Sequence, residues 1–293
     1  MTMLSPLAPK IHSRQINESD IGGVVDLLAR GFPGRTRQFW LRAIGRLTEH
    51  SAPTGMPKYG YLLESGGAPV GVILLIFSMI RTATTFSARC NVSSWFVEPA
   101  FRSYASALVA QALKFKNVTY VNISAAPHTR TTVEVQGFSR YSNGVFVAVP
   151  ALNALSADTQ AKVVPGYTCP DAHFESFERD LLSDHSAYGC MSLWCVTPDR
   201  AYPFVFRPRV VKGFIACTQL IYCRDVEDFV RFAQPIGWFL ALRGRPLVIL
   251  DSNGQIPGLV GKYLDGRMPK YFKGQDRPRL GDLAYTEAAM FGV

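Results

Sequence analysis

The residues best suited to chemistry follow a strand-like stretch in the N-terminal half of the chain. Residues 90–97 alternate with the two-residue period of a pleated strand, and Pro99 then blocks further ladder pairing. A turn containing Arg102 follows, and Ser103 is the expected N-cap of a helix with apolar residues at helical spacing. Small residues begin this helix: Ala105, Ser106 and Ala107. A helix N-terminus of this kind offers N–H groups and a positive dipole end to an anion such as a diphosphate.

This segment resembles the acetyl-CoA-binding signature of the GCN5-related N-acetyltransferase (GNAT) superfamily, Val-x-x-x-x-Arg-x-x-Gly-x-Gly/Ala. Here it begins at Val97, has Arg102 at the arginine position and ends at Ala107, with Ala105 in place of the usual first glycine. That replacement predicts a tighter loop or weaker cofactor binding. The resemblance implies acetyl-CoA or another acyl-CoA as the cofactor, held by Phe96, Val97, Arg102, Ser103, Tyr104, Ala105, Ser106 and Ala107. An ordinary strand-turn-helix unit is the alternative that remains open.

A second resemblance is the pair Gly137 and Phe138, because GNAT proteins commonly end a helix at such a pair just before the last strand. The family often has a tyrosine, its general acid, a few residues earlier, but residues 131–133 are Thr, Thr and Val. The candidate substitutes for this acid are Tyr141, His128 and Ser94. Each also has an ordinary structural interpretation, as a strand aromatic, a loop residue or a strand hydroxyl.

N-acyl transfer to an amine also needs a proton acceptor and N–H donors that polarise the thioester carbonyl. The resemblance implies that the donors lie on the strand before the turn, near Phe96 and Val97. The candidate bases are Glu98, Glu134 and Asp251. Asp251 follows an apolar strand, a position at which α/β folds often have binding residues.

The segment from residue 258 to residue 274 mixes basic and aromatic residues, and we interpret it as a loop. Its members are Lys262, Tyr263, Arg267, Lys270, Tyr271 and Phe272. Such a segment suits a phosphate-bearing, sugar or nucleic-acid acceptor, so we predict that its basic residues and Asp251 border the site of an anionic acceptor. A basic surface loop without a ligand is the alternative.

The wider pattern of elements predicts an α/β (α+β) fold. Residues 1–150 give the order strand, helix, helix, three strands, helix, strand, helix, strand, which is that of a GNAT-like, mostly antiparallel sheet flanked by helices. The predicted strands are 13–16, 58–64, 70–80, 90–97, 119–124 and 144–149, and the predicted helices are 21–30, 36–49, 103–114 and 129–135. Residues 1–150 are therefore predicted to form the acyl-CoA-binding domain.

Beyond a polar connector at residues 153–164, the chain predicts a second α/β domain, residues 151–293, on the acceptor side. Helices are expected at 171–182 and 226–241, and strands at 191–196, 201–206, 215–223 and 246–250. This order suggests a degenerate GNAT-like unit in a tandem arrangement, similar to that of Fem-type peptidyltransferases. It contains no second Arg-x-x-Gly-x-Gly turn.

Composition sets further bounds on the 293-residue chain. No apolar run reaches membrane-spanning length, and residues 1–10 have no secretory pattern, so we expect a cytoplasmic protein. The six cysteines form no C-x-x-C pair and predict reduced thiols without a metal site. The excess of positive charge lies in the N-terminal half, since residues 1–150 have 15 Lys and Arg against 7 Asp and Glu. Residues 151–293 are nearly balanced, with 16 against 15.

Two functions follow as hypotheses. The first is an acyl-CoA-dependent N-acyltransferase that acts on a small-molecule or anionic amine-bearing acceptor. The second is a non-catalytic GNAT-like module that binds a polyanion, nucleic acid or an anionic polysaccharide, through the basic N-terminal half. The basic residues concerned are Arg30, Arg35, Arg37, Arg42 and Arg46, for which a solvated helix face is the simpler explanation. No nucleic-acid-binding signature supports the second hypothesis, and the sequence leaves the oligomeric state open.

Overall fold

The computed structural model describes residues 11–81, 86–154, 161–211 and 213–292. Contacts divide the chain into two compact units, Met1–Met79 with Ala88–Tyr120, and Ile80–Ser87 with Val121–Val293. Two expectations concern residues outside the described ranges. The lack of a secretory pattern rests on residues 1–10, and part of the predicted connector falls on residues 155–160.

The first unit is formed mainly by the following elements: β1 (Ile11–Gln15), α1 (Ile21–Gly31), α2 (Arg37–Glu49), β2 (Gly60–Ser65), β3 (Ala68–Arg81), β4 (Phe86–Val97), α3 (Ala105–Ala112) and β5 (Val118–Asn122). The strands are neighbours in the order β1-β2-β3-β4-β5. β2 is antiparallel to both β1 and β3. These five strands correspond to the strands predicted at 13–16, 58–64, 70–80, 90–97 and 119–124.

Local sequence accounts for the elements of the first unit. Gly66 and Gly67 both have positive φ, which suits the tight turn of the β2–β3 hairpin. Thr36 caps α2, since its side chain accepts a hydrogen bond from the backbone N–H of Phe39. The buried stripe of α1 consists of Val24, Val25, Leu27 and Leu28. The buried stripe of α2 consists of Trp40, Ala43, Ile44 and Leu47, and the two helices pack against each other.

The second unit contains the following elements: α4 (Arg130–Val135), β6 (Ser139–Ala148), β7 (Lys162–Pro165), α5 (Ser176–Ala187), β8 (Met191–Val196), β9 (Ala201–Val211), β10 (Ile215–Cys223), α6 (Val226–Arg231), α7 (Ala233–Ala241), β11 (Leu247–Ser252), β12 (Gly261–Lys273) and α8 (Glu287–Met290). Its strands are ordered β12-β6-β11-β10-β9-β8-β7. Neighbours are antiparallel apart from β10 and β11, which are parallel and are joined by the helical crossover α6–α7.

Apolar side chains of the second unit form two core clusters. Alternation along β9 divides its residues between them, because Phe204 and Phe206 belong to one cluster and Val205 to the other. The first cluster includes Phe229 and residues of α7, and the second includes residues of α5 and α8. The prediction of a mixed, mostly antiparallel sheet flanked by helices is confirmed.

Several local predictions are wrong. The segment from residue 258 to residue 274 is mainly the strand β12, not a surface loop, because it pairs with β6 over most of its length. The helix predicted at 171–182 begins at Ser176, after Glu175 forms a capping box with Glu178. The helix predicted at 226–241 is divided at Phe232. Ser103 is not the N-cap of α3, since a 3-10 turn, Pro99–Tyr104, precedes that helix.

The predicted domain boundary at residue 150 stays a prediction. Contacts group residues 121–150 with those that follow, because β6 lies between β11 and β12 and is antiparallel to both. Within the described ranges, no helix is long and apolar enough to cross a membrane.

Candidate functional site

The strand β4 leaves regular geometry at Ser94. Its φ of 36° lies in the left-handed region, where non-glycine residues within strands are uncommon. The hydroxyl oxygens of Ser93 and Ser94 are 3.1 Å apart. Backbone strain of this kind persists only where the surrounding structure holds it, and it is concentrated at functional sites. The strain lies two residues before Phe96, the first predicted cofactor contact.

The turn after β4 presents most of the predicted cofactor-binding residues to solvent. The exposed residues are Arg102, Ser103, Tyr104, Ser106 and Ala107, while Ala105 is half-buried. Leu108, Val109 and Ala112 are buried, so α3 packs its apolar face inward and leaves its start accessible. Small, accessible side chains fit the approach of a diphosphate. The N–H of Ala105 already donates to the carbonyl of Arg102, so this one amide is engaged within the chain.

Contacts with α1 fix the end of β4. The ring of Phe96 lies over the last residue of α1, where a Cβ on Gly31 would come within 2.3 Å of it. The Arg30 guanidinium donates to the Glu98 carboxylate at 2.8 Å. Val97 is buried. These contacts hold the strand end and the start of the turn against one helix.

Two of the predicted catalytic residues lie in ordinary structural settings. Tyr141 is buried, with its ring edge-on to Phe272 at 6.2 Å. Glu134 is on the surface, where its Oε1 accepts hydrogen bonds from Nε and Nη2 of Arg140 at 3.0 and 2.8 Å. Their catalytic roles stay predictions.

The third predicted catalytic residue, Asp251, forms a buried ion pair. Its Oδ1 lies 2.6 Å from Nζ of Lys270, and both side chains are almost fully buried. Burial raises the pKa of the Asp251 carboxyl, and the Lys270 ammonium opposes that shift. Pairing between β12 and β6 is irregular just before Lys270, and Met268 has a positive φ. The structure therefore directs Lys270 inward, whereas Lys262 and Arg267 are exposed.

A pocket of about 340 Å³ is present where the parallel strands β10 and β11 end. Asp251 and Ser252 line it from β11, Asp225 and Glu227 from the start of α6, and Arg279 from the C-terminal segment. Asp251 was predicted from the sequence as a site residue, whereas Ser252, Asp225, Glu227 and Arg279 were not. Asp225 could have been predicted in the same way as Asp251, because it closely follows a buried strand and Asp251 lies at the end of one.

The basic residues of the N-terminal half are partly neutralised. Arg30 pairs with Glu98, and Arg37 Nε lies 2.7 Å from the Asp26 carboxylate. The Arg35 guanidinium lies over the Phe39 ring, 4.7 Å from its centroid. These contacts favour a solvated helix face over a polyanion site.

The six cysteines are free thiols, and only Cys169 is exposed. Among the described residues, no group of three or more His, Cys, Asp or Glu side chains could hold a metal ion.

Comparison with known proteins identifies the fold. No family model matches the sequence, and no curated protein matches it. A GCN5-related N-acetyltransferase from Kribbella flavida matches with a TM-score of 0.58 and 12% sequence identity, over 94% of this chain and 74% of that one. One from Anabaena variabilis matches with a TM-score of 0.59 and 8% identity, over 90% and 72%. Eis1 from Mycobacterium abscessus matches with a TM-score of 0.51 and 13% identity, over 94% and 74%. The chain therefore has the fold of GCN5-related N-acetyltransferases, as the sequence predicted.

Proposed function

We propose that this protein is an acyl-CoA-dependent N-acyltransferase that transfers an acetyl or other acyl group to an amine. The observation that carries the proposal is the arrangement around β4. A strained strand residue, Ser94, is followed by the exposed small-residue turn that begins α3, in a fold shared with N-acetyltransferases.

In this proposal, residues 1–150 bind the cofactor. The small side chains from Ser103 to Ala107 allow its diphosphate to approach, and N–H groups of this segment other than that of Ala105 hold it. The backbone near Phe96 and Val97 pairs with its pantetheine amides. Acetyl-CoA, when bound, supplies an acyl group activated as a thioester. Backbone N–H donors on the strand end polarise its carbonyl, where negative charge develops as the amine attacks.

Proton transfer is assigned to residues of the second unit. The attacking amine must be neutral, so a base takes its proton, and an acid protonates the departing thiolate. We assign the base to Asp251 because it is the one predicted catalytic residue that lines the pocket described above. Its Oδ1 forms an ion pair with Lys270, just as Glu134 is engaged by Arg140. Tyr141 remains the predicted acid.

The C-terminal part, residues 151–293, supplies the acceptor side in this proposal. The parallel unit β10–α6–α7–β11 supports a tandem, degenerate GNAT-like arrangement, since it repeats the strand-helix-strand order of β4, α3 and β5. Six free thiols suit a reducing compartment, and we expect the protein to act in the cytoplasm.

Release of the CoA thiol tests the proposal. Full-length protein is incubated with acetyl-CoA and a panel of amines, and free thiol is measured with a chromogenic reagent. Cys169→Ser removes the exposed protein thiol that would otherwise react. We expect thiol release that depends on both acetyl-CoA and an amine. Failure of every amine to raise the release above the rate without amine would contradict the proposed activity.

A further inference from the structure

The pocket at the ends of β10 and β11 has the size and position of a ligand site. Its volume of about 340 Å³ is within the range of about 300–1,000 Å³ for small-molecule sites. It lies beyond the carboxyl ends of two parallel strands joined by a helical crossover, where α/β sheets commonly bind ligands. Apolar parts of its lining come from Val226, Ile256, Pro257 and Leu280.

Acidic side chains outnumber basic ones in the lining. Asp225, Glu227 and Asp251 face one cation, Arg279. Arg279 already donates to the carbonyl of Cys223 and lies 3.7 Å from the Asp282 carboxylate. Asp225 and Glu227 are exposed and form no ion pair with any residue that the structure describes. The acids of the lining therefore exceed its one cation, although the charge of Asp225 also acts on Arg279.

Asp251 gives the pocket a buried acceptor atom. The side chain is 3% exposed and lines the pocket. Its Oδ1 lies 2.6 Å from Nζ of Lys270. Within the described ranges, this buried Oδ1 has the ion pair with Lys270 but no hydrogen-bond donor of good geometry. A buried carboxylate oxygen without a donor requires a partner, because an unsatisfied buried polar atom is costly.

An organic cation fits this lining better than a metal ion. The acids do not converge as metal ligands, since none of the described residues form such a group. Apolar walls beside separated carboxylates suit an alkyl chain that ends in an ammonium group, with its N–H bonds directed at carboxylate oxygens.

We propose that this pocket binds a small aliphatic amine. Asp225 and Glu227 attract its charge, Asp251 accepts a hydrogen bond from the ammonium group, and the apolar residues contact the chain. The identity of this amine as the acyl acceptor rests on the function proposed above. The charge is opposite to that of the anionic acceptor predicted from Lys262, Arg267 and Lys270, of which Lys270 is engaged by Asp251.

Calorimetric titration of the full-length protein with 1,4-diaminobutane tests the proposal, with 1,4-butanediol as the uncharged isostere. We expect the diamine to bind, the diol not to bind, and added salt to weaken diamine binding. The double variant Asp225→Asn/Glu227→Gln should bind at least tenfold more weakly. Asp171→Asn/Asp180→Asn makes the same charge change at exposed acids outside the pocket and should bind like the parent. Thermal unfolding verifies that each variant is folded.

The outcomes separate this proposal from the proposed function. No diamine binding, or equal binding by parent and pocket variant, would overturn the amine site even if acetyl-CoA bound normally. Diamine binding lost only in the pocket variant would support the site even if no acetyl transfer occurred, in which case the proposed function alone would fail. If transfer occurs, the pocket variant should raise KM for the diamine and leave KM for acetyl-CoA unchanged.

Discussion

Lys270 Nζ lies 2.6 Å from Asp251 Oδ1 in the interior of the second unit. The two residues belong to β12 and β11, with β6 between their strands. Each charge compensates the other, because either one alone would be buried without a counter-ion. The same carboxylate lines the proposed amine pocket, so the pair connects the stability of the unit with its chemistry.

Removing one member of this pair should be strongly destabilising. Lys270→Met leaves the Asp251 carboxylate buried and unpaired, so we expect a loss of about 3–5 kcal/mol in the free energy of unfolding. The double variant Lys270→Met/Asp251→Leu should recover most of that loss. Urea unfolding monitored by tryptophan fluorescence provides the values. A loss below about 1 kcal/mol, typical of exposed pairs, would contradict the buried pair.

Two carboxylate–arginine pairs with different burial offer a matched comparison. Glu178 is fully buried and accepts two hydrogen bonds of 2.7 Å from Arg224. Glu134 and Arg140 are each more than 40% exposed. We expect Glu178→Gln to cost about 3–5 kcal/mol, and Glu134→Gln about 0.2–1 kcal/mol because solvent screens the exposed pair. Similar losses in chemical unfolding of the two variants would contradict this role of burial.

Local sequence pattern predicted the elements on either side of the turn after β4 well. Alternation in β4 and the apolar residues Leu108, Val109 and Ala112 of α3 are properties of short segments, and the hairpin turn depends on Gly66 and Gly67. β12 was missed because its glycines, proline and charges resemble a loop. Its pairing with β6 joins residues more than 100 positions apart, which local pattern does not contain.

The site could be predicted only in part. The exposed turn from Arg102 to Ala107 follows from its strand-turn-helix pattern, but the positive φ of Ser94 does not, since serine gives no signal for it. Lys270 was predicted to border an acceptor site, and its burial could not be predicted because lysine is rarely buried. Its contact with Asp251 depends on tertiary pairing of distant strands.

Two glycines should respond oppositely to alanine. In α7, a Cβ on Gly237 would lie 2.1 Å from the backbone N of Ala151. Because backbone atoms cannot move aside easily, Gly237→Ala should destabilise by about 1–3 kcal/mol. Gly45 in α2 is exposed with open space around its Cβ position, so Gly45→Ala should stabilise by about 0.5–1 kcal/mol. Thermal unfolding of both variants measures this difference, and a stabilised Gly237→Ala would refute the close approach.

Acid should weaken the first unit through Asp20. The Arg14 guanidinium donates to both carboxylate oxygens of Asp20, at 2.6 and 2.8 Å, and holds its pKa below the ordinary value. A carboxyl with a lowered folded-state pKa stabilises the protein above its unfolded-state pKa, about 3.9. That contribution is lost as pH falls through the folded-state pKa.

Asp20→Asn should therefore reduce stability at pH 7 and lose less stability than the parent as pH falls from about 5 to 2. Asp26→Asn is the control, since Asp26 forms an exposed pair with Arg37. Urea unfolding across this pH series gives the slopes. Identical pH dependence in the parent and Asp20→Asn would be inconsistent with the Arg14 contact.

Calorimetric titration with acetyl-CoA tests the central claim most directly. The parent should bind acetyl-CoA, and Ala105→Ile should bind at least tenfold more weakly, because a β-branched side chain at the start of α3 obstructs the diphosphate. Ala110→Ile is the matched control on an exposed position later in α3 and should bind like the parent. No binding by the parent, or equal binding by a folded Ala105→Ile variant, would contradict the cofactor site at this turn.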